Sequence, residues 1–126
     1  ENISVTKTRR IKDSLLATGL PVNNFDRIDD YLAILGDFMK QSHGVRRFGA
    51  AALDLCFTAE GTFDAFYEIN LSPWDVAAGA LIVKEAGGKV TDFQGNDNYI
   101  FGKTIIASNS NTHNEVFEII KNRWEK

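Results

Sequence analysis

Ser72-Pro73-Trp74-Asp75-Val76-Ala77-Ala78-Gly79-Ala80-Leu81-Ile82-Val83-Lys84-Glu85-Ala86-Gly87-Gly88 reads as one helix with both of its ends marked. Ser72 suits the N-cap, and Pro73 suits the first helical position, where a missing N–H loses no partner. Between Trp74 and Ala86 only Asp75, Lys84 and Glu85 are charged, so the pattern predicts a helix buried on nearly every side. Gly87 supplies a left-handed residue that stops it. Asp75 falls in the first turn, where the helix dipole favours negative charge. Ser72 and Asp75 stand at the spacing of a capping box, so Asp75 reads either as a cap or as a ligand for a cation.

Working outward, residues 62–69 alternate as a strand. Phe63, Ala65, Tyr67 and Ile69 share one face; Asp64, Phe66 and Glu68 share the other. Residues 89–91 form a short strand on the far side of the helix. Upstream, residues 14–20 are an apolar run closed by Gly19 and Pro21, a buried strand. Asn23 or Asn24 then caps a helix to about Ser42, with an apolar stripe of Phe25, Ile28, Leu32, Leu35 and Met39. A helix rich in alanine and leucine follows Gly49 and ends near Glu60-Gly61. Downstream, a Gly, Asn and Asp loop from Asp92 to Asn98 leads to a strand at 104–107. Thr112 and Glu115 form a capping box for a last helix carrying Val116, Ile119, Ile120 and Trp124. Strands separated by helical crossovers imply an α/β fold, a mainly parallel or mixed sheet with helices on both faces. Ligands of such sheets sit outside the carboxyl ends of the strands. Glu68 ends a strand and Asp75 begins the next helix, so both are expected to point into one crevice.

The 126 residues suffice for one domain that buries roughly two thirds of its unfolded surface. With 25% charged and 44% hydrophobic residues the composition is globular. A net charge of −3 argues against nucleic acid or an anionic membrane as the main partner. No apolar run approaches the roughly 20 residues of a membrane span, and no secretory signal is visible. The single Cys56 has no intrachain disulfide partner, reads as core packing, and fits a reducing, cytoplasmic setting. Ile3-Ser4-Val5-Thr6 reads as the middle of a strand, which leads to the expectation of a piece of a longer protein. Lys7, Arg9, Arg10 and Lys12 read as a solvated basic edge. His43 and His113 are isolated, with neither a zinc cluster nor a nucleophile in view. Gly87-Gly88-Lys89 lacks the spacing of a phosphate loop. Lys103 occupies the twelfth position of the Asp92 loop, which excludes an EF-hand.

Trp74 to Gly88 closely resembles the C-terminal signature of the inositol monophosphatase family, Mg-dependent phosphatases of small phosphorylated polyols. Arg46-Arg47-Phe48-Gly49-Ala50-Ala51-Ala52-Leu53-Asp54-Leu55-Cys56 and Phe66-Tyr67-Glu68 resemble further stretches of that family, and Leu15-Leu16-Ala17-Thr18-Gly19 resembles its preceding strand and turn. The resemblance implies that Asp75 is the catalytic residue of this half, ligating Mg²⁺ and approaching substrate. It implies that Glu68 accepts hydrogen bonds from sugar hydroxyls and that Gly49, Ala50 and Ala51 meet the polyol through their backbone. Arg46 and Arg47 are read as solvent-facing, with a lesser role in steering an anion. Residues 1–126 then correspond to the C-terminal half, commonly homodimeric, with the N-terminal catalytic half absent. That half carries an acidic Gly-Asp-Glu-Glu-like element and an Asp-Pro-x-Asp-Gly-Thr-like element, and neither occurs in this chain. The chain alone is therefore expected to bind Mg²⁺ weakly and to hydrolyse nothing. The first reading is hydrolysis of inositol monophosphate. The alternatives are fructose-1,6-bisphosphate, histidinol phosphate or a 3′-phosphoadenosine nucleotide as substrate, or a non-catalytic oligomerisation or regulatory domain.

Overall fold

Leu16 and Ala17 are adjacent, fully buried, and belong to different apolar cores, because successive side chains of a strand point to opposite sides of the sheet. That alternation organises the whole molecule. The structure, a computed structural model, describes residues 3–19 and 26–124. In chain order the elements are β1 (Leu15–Thr18), α1 (Ile28–Gln41), β2 (Gly44–Arg46), α2 (Ala51–Glu60), β3 (Ala65–Ile69), α3 (Pro73–Glu85), β4 (Lys89–Thr91), β5 (Thr104–Ser108) and α4 (His113–Trp124). A 3-10 turn at Ile11–Asp13 precedes them. The five strands order as β2-β1-β3-β5-β4. β1 pairs parallel with β2 and β3, while β5 runs antiparallel to β3 and β4. The sheet is therefore mixed, with β5 reversed.

On one face, Leu16, Ala65, Tyr67 and Ile106 pack under Tyr31, Ile34 and Phe38 of α1 and Val116, Ile120 and Trp124 of α4. On the other, Ala17, Phe66, Ile105 and Ala107 pack under Leu55 and Ala59 of α2 and Val76, Ala80 and Val83 of α3. Helices thus cover both faces, as the alternation of strand and helix patterns implied. α2 and α3 approach closely at Gly79, where a Cβ would lie 2.5 Å from Leu55 Cδ1.

Several expectations are corrected. The buried stripe of α1 is Tyr31, Ile34 and Phe38, whereas Leu32 and Met39 are 49% and 66% exposed. A stripe traced through aliphatic positions misses this, because packing on the sheet turns the Tyr31, Ile34 and Phe38 face inward. The expected cap at Asn23 or Asn24, and Phe25, lie outside the described residues. α3 is not buried all round: Trp74 and Leu81 are 78% and 57% exposed, on a face shared with Ala77 and Ala78. Phe63 precedes β3 and joins the Phe66 side rather than the Tyr67 side. Ile3–Thr6 is irregular, not a strand. It is held by Val5 N–H donating to Ala86 O and by Thr6 Oγ1 donating to Asp64 Oδ1. Neither capping box forms: Ser72 makes no side-chain cap bond, and Thr112 Oγ1 donates to Asn109 Oδ1. Glu115 instead accepts from Ile11 N–H and from Arg10, which stays exposed in the basic run. Cys56 is half-buried, at the margin of the core.

Candidate active site

β1, β2 and β3 run parallel, so the turns leaving them emerge at one edge of the sheet. These turns carry Gly19, the Arg47–Ala50 loop and the Asn70–Ser72 loop; the sequence-predicted Gly49, Ala50, Ala51, Glu68 and Asp75 lie in or beside the last two. The edge is where parallel strands feed helix N-termini, the usual ligand position in this architecture.

Glu68 is the penultimate residue of β3, on the α2/α3 side with Phe66, and is partly buried. Burial, and then the charge of Asp54, push its carboxyl up to about 7; Arg47 opposes this and Asp75 adds to it. Asp54 and Arg47, from the connection between β2 and β3, and Asp75, from the helix after β3, thus all act electrostatically on Glu68. Among the described residues neither Glu68 nor Asp75 belongs to an ion pair. Asp75 sits in the first turn of α3, half-buried, and its Oδ2 accepts the Ser72 hydroxyl at 2.8 Å. Ser72 therefore orients the carboxylate rather than capping the helix.

Asp54 is a residue that sequence reasoning missed. It is fully buried in α2, and among the described residues both of its carboxylate oxygens lack a hydrogen-bond partner. Burial pushes its carboxyl up to about 6. A lone acid within the apolar run 51–57 was the available signal, and its position one turn into the helix hid it. Gly49 takes a left-handed φ of 84°, and a Cβ there would meet nothing within 4 Å. Its role is therefore conformational: it lets the loop after β2 turn into α2. Ala50 is the N-cap residue and makes no side-chain cap bond. The first turn of α2, beginning at Ala51, has backbone N–H groups without intrahelical acceptors, which makes them donors for an anion or hydroxyl.

Mg²⁺ takes oxygen ligands and is commonly held by one or two carboxylates together with water and phosphate oxygens. Among the described residues no group of three or more His, Cys, Asp or Glu side chains could hold a metal ion. Asp75, half-exposed with Oδ1 accepting no hydrogen bond among the described residues, fits as a single ligand whose companions must come from elsewhere.

Other polar features are structural. His113 is buried, and contrary to expectation it has a hydroxyl partner: Ser108 Oγ lies 2.7 Å from Nδ1, with Thr91 Oγ1 2.9 Å from Nε2. Since Thr91 donates its own hydrogen to Asp92 O, Nε2–H donates to Thr91 and Nδ1 accepts from Ser108. Burial holds this imidazole down at about 4, so it is neutral and sealed from substrate. A hollow of about 340 Å³ is lined by Arg27, Ile69, Asn70, Lys103 and Trp124, and neither Glu68 nor Asp75 lines it. Its Arg27 is already engaged, 3.8 Å over the Trp124 ring and paired with Asp30 at 2.9 Å.

The family model described as the inositol monophosphatase family matches residues 1–125. A putative Nus factor SuhB of Neisseria meningitidis serogroup B is 48% identical over 118 residues, covering 94% of this chain and 45% of that protein. The inositol-1-monophosphatase of Caulobacter vibrioides is 41% identical, covering 96% of this chain and 48% of that protein. The structure of an inositol monophosphatase from Anabaena (Nostoc) sp. PCC 7120 superposes with a TM-score of 0.90 at 36% identity, covering 96% of this chain and 49% of the other. The chain spans about half the length of the relatives it matches. By sequence and by fold, it belongs to the inositol monophosphatase family.

Proposed function

We propose that this chain supplies the polyol-binding side and one metal carboxylate of a Mg-dependent phosphatase that converts an inositol monophosphate and water into inositol and inorganic phosphate. The observation that carries this reading is the meeting of Glu68 and Asp75 at the carboxyl edge of the sheet, both partly exposed and outside any ion pair among the described residues. Glu68, when ionised, accepts hydrogen bonds from vicinal hydroxyls and so orients the ring. Backbone N–H groups at the start of α2, following Gly49, Ala50 and Ala51, donate to the same substrate. Asp75, oriented by Ser72, would hold Mg²⁺ together with ligands from the rest of a longer protein. When bound, the metal supplies charge neutralisation, an activated water and help for the departing alkoxide. One carboxylate cannot organise that chemistry alone, so the isolated chain should release no phosphate. The exposed face of α3, with Trp74 and Leu81, supports a homodimer or a covering half as partner.

The test uses the protein joined to the half that its relatives carry. Asp75→Asn should abolish phosphate release from inositol 1-phosphate with Mg²⁺, and Glu68→Gln should raise KM far more than it lowers kcat. Wild-type turnover of fructose-1,6-bisphosphate, histidinol phosphate or a 3′-phosphoadenosine nucleotide in preference to inositol phosphate would redirect the assignment.

The Nus factor name carried by the Neisseria relative favours a second reading, in which the domain works through partner contacts rather than hydrolysis. Persistence of the biological role in Asp75→Asn, with hydrolysis lost, would select it.

A further inference from the structure

We propose that Gly19 is the positioning residue for the Glu68 carboxylate, and that the space left by its missing side chain is what lets that carboxylate take the position from which it meets the polyol. This rests on the reading of Glu68 as the polyol acceptor.

A Cβ on Gly19 would lie 2.4 Å from Glu68 Cδ, 2.4 Å from Oε2 and 2.5 Å from Oε1. The whole carboxylate therefore lies over the bare Cα of residue 19. Gly19 is not among the glycines with positive φ, so its backbone conformation by itself would admit alanine. The three atoms nearest to that Cβ all belong to the Glu68 carboxylate. The backbone there is not free to retreat. The Gly19 carbonyl accepts a hydrogen bond from the Tyr31 hydroxyl. The Thr18 hydroxyl donates its one hydrogen to Tyr67 O at 2.8 Å, tying the end of β1 to the strand that bears Glu68. With the main chain held, an added methyl must displace the flexible partner, and Glu68 would turn away. A carboxylate that reads hydroxyls by direct hydrogen bonds tolerates little displacement, since those bonds weaken steeply with poor alignment.

The experiment is a kinetic cycle in the protein joined to the half its relatives carry, with inositol 1-phosphate and Mg²⁺, accompanied by thermal melting. Gly19→Ala is expected to raise KM about tenfold or more with kcat changed less than about twofold. Glu68→Ala should raise KM comparably, and the double variant should be no worse than Glu68→Ala alone, because both act through one group. Gly19→Ala/Glu68→Asp, whose shorter side chain clears the methyl, should recover part of the loss. An unchanged KM in Gly19→Ala, or effects that multiply in the double variant, overturns the proposal. If Gly19→Ala fails to fold, folding of Gly19→Ala/Glu68→Asp supports the proposal, and its failure overturns it. If Glu68→Ala leaves KM unchanged, the reading of Glu68 fails and the proposal falls with it, an outcome distinct from a silent Gly19→Ala beside an impaired Glu68→Ala.

Discussion

The Ser72 hydroxyl donates to Asp75 Oδ2 across 2.8 Å, and this bond, rather than a helix cap, links the two residues. It locks the acid in one rotamer and leaves Oδ1 available. Outer hydrogen bonds to a metal-binding carboxylate typically change affinity by roughly 10–100-fold. Ser72→Ala should therefore lower apparent Mg²⁺ affinity by about tenfold. Stability should change by less than about 0.5 kcal/mol, since no cap is lost. Metal titration of activity in the protein joined to the half its relatives carry, and urea unfolding, measure the two effects separately. A large stability loss with unchanged metal dependence would return Ser72 to a capping role.

Two helical glycines should respond in opposite directions to alanine. At Gly79 the new Cβ meets Leu55 Cδ1 at 2.5 Å and Leu55 Cβ at 2.8 Å, at the crossing of α2 and α3. Overpacking of this kind costs about 1–3 kcal/mol or more. At Gly36, inside α1, a Cβ meets nothing within 4 Å. Gly36→Ala should stabilise by about 0.5–1 kcal/mol through reduced freedom of the unfolded chain and better helix propensity. Denaturant midpoints of the two variants decide the matter.

His113 makes stability pH-dependent on the acid side. Its folded value of about 4 lies below the ordinary 6.5, so between these values the unfolded chain binds the extra proton. The stabilisation is whole above about 6.5 and is lost as pH falls towards 4. Protonation would also oppose the bond in which Nδ1 accepts from Ser108. His113→Gln should lower stability at pH 7.5, because buried bonds are lost, yet show a flatter decline between pH 6.5 and 4. An equally steep decline in the variant would remove His113 as its source.

Asp54 acts with the opposite sign. Its carboxyl is raised from 3.8 to about 6, so the folded chain holds the proton more tightly than the unfolded one. That contribution is whole below about 3.8 and is lost as pH rises through 6. Asp54→Asn should stabilise the chain at pH 8 by on the order of 1 kcal/mol, because a buried carboxylate without a hydrogen-bond partner among the described residues is replaced by a neutral amide. At pH 4.5 the gain should shrink towards zero. Unfolding curves at the two pH values provide the comparison, and a gain independent of pH would exclude the charge as its cause.

Much of the architecture was legible in the chain. The helix from Pro73 to Glu85, its stop at Gly87, the alanine-rich helix after Gly49 and the alternation in β3 follow from local rules of capping, φ preference and periodicity, which neighbouring residues suffice to state. Helices on both faces of a mixed sheet followed from the crossovers, but the short β2 at Gly44–Arg46, and with it the parallel order of β1, β2 and β3, did not, because three residues carry too little pattern to read. Local rules could not choose which stripe of α1 turns inward, because the Tyr31, Ile34 and Phe38 stripe competes with the Leu32 and Met39 stripe and only packing on the sheet separates them. Nor could they distinguish a capping serine from one that orients a carboxylate, since the spacing of Ser72 and Asp75 is the same for both. The buried isolation of Asp54, the sealing of His113 between Ser108 and Thr91, and the carboxylate of Glu68 lying on Gly19 are relations between residues far apart in sequence. Sequence determined the elements because their signals act over a few residues. Tertiary structure alone decided these meetings, because burial and pairing exist only once the strands and helices are packed together.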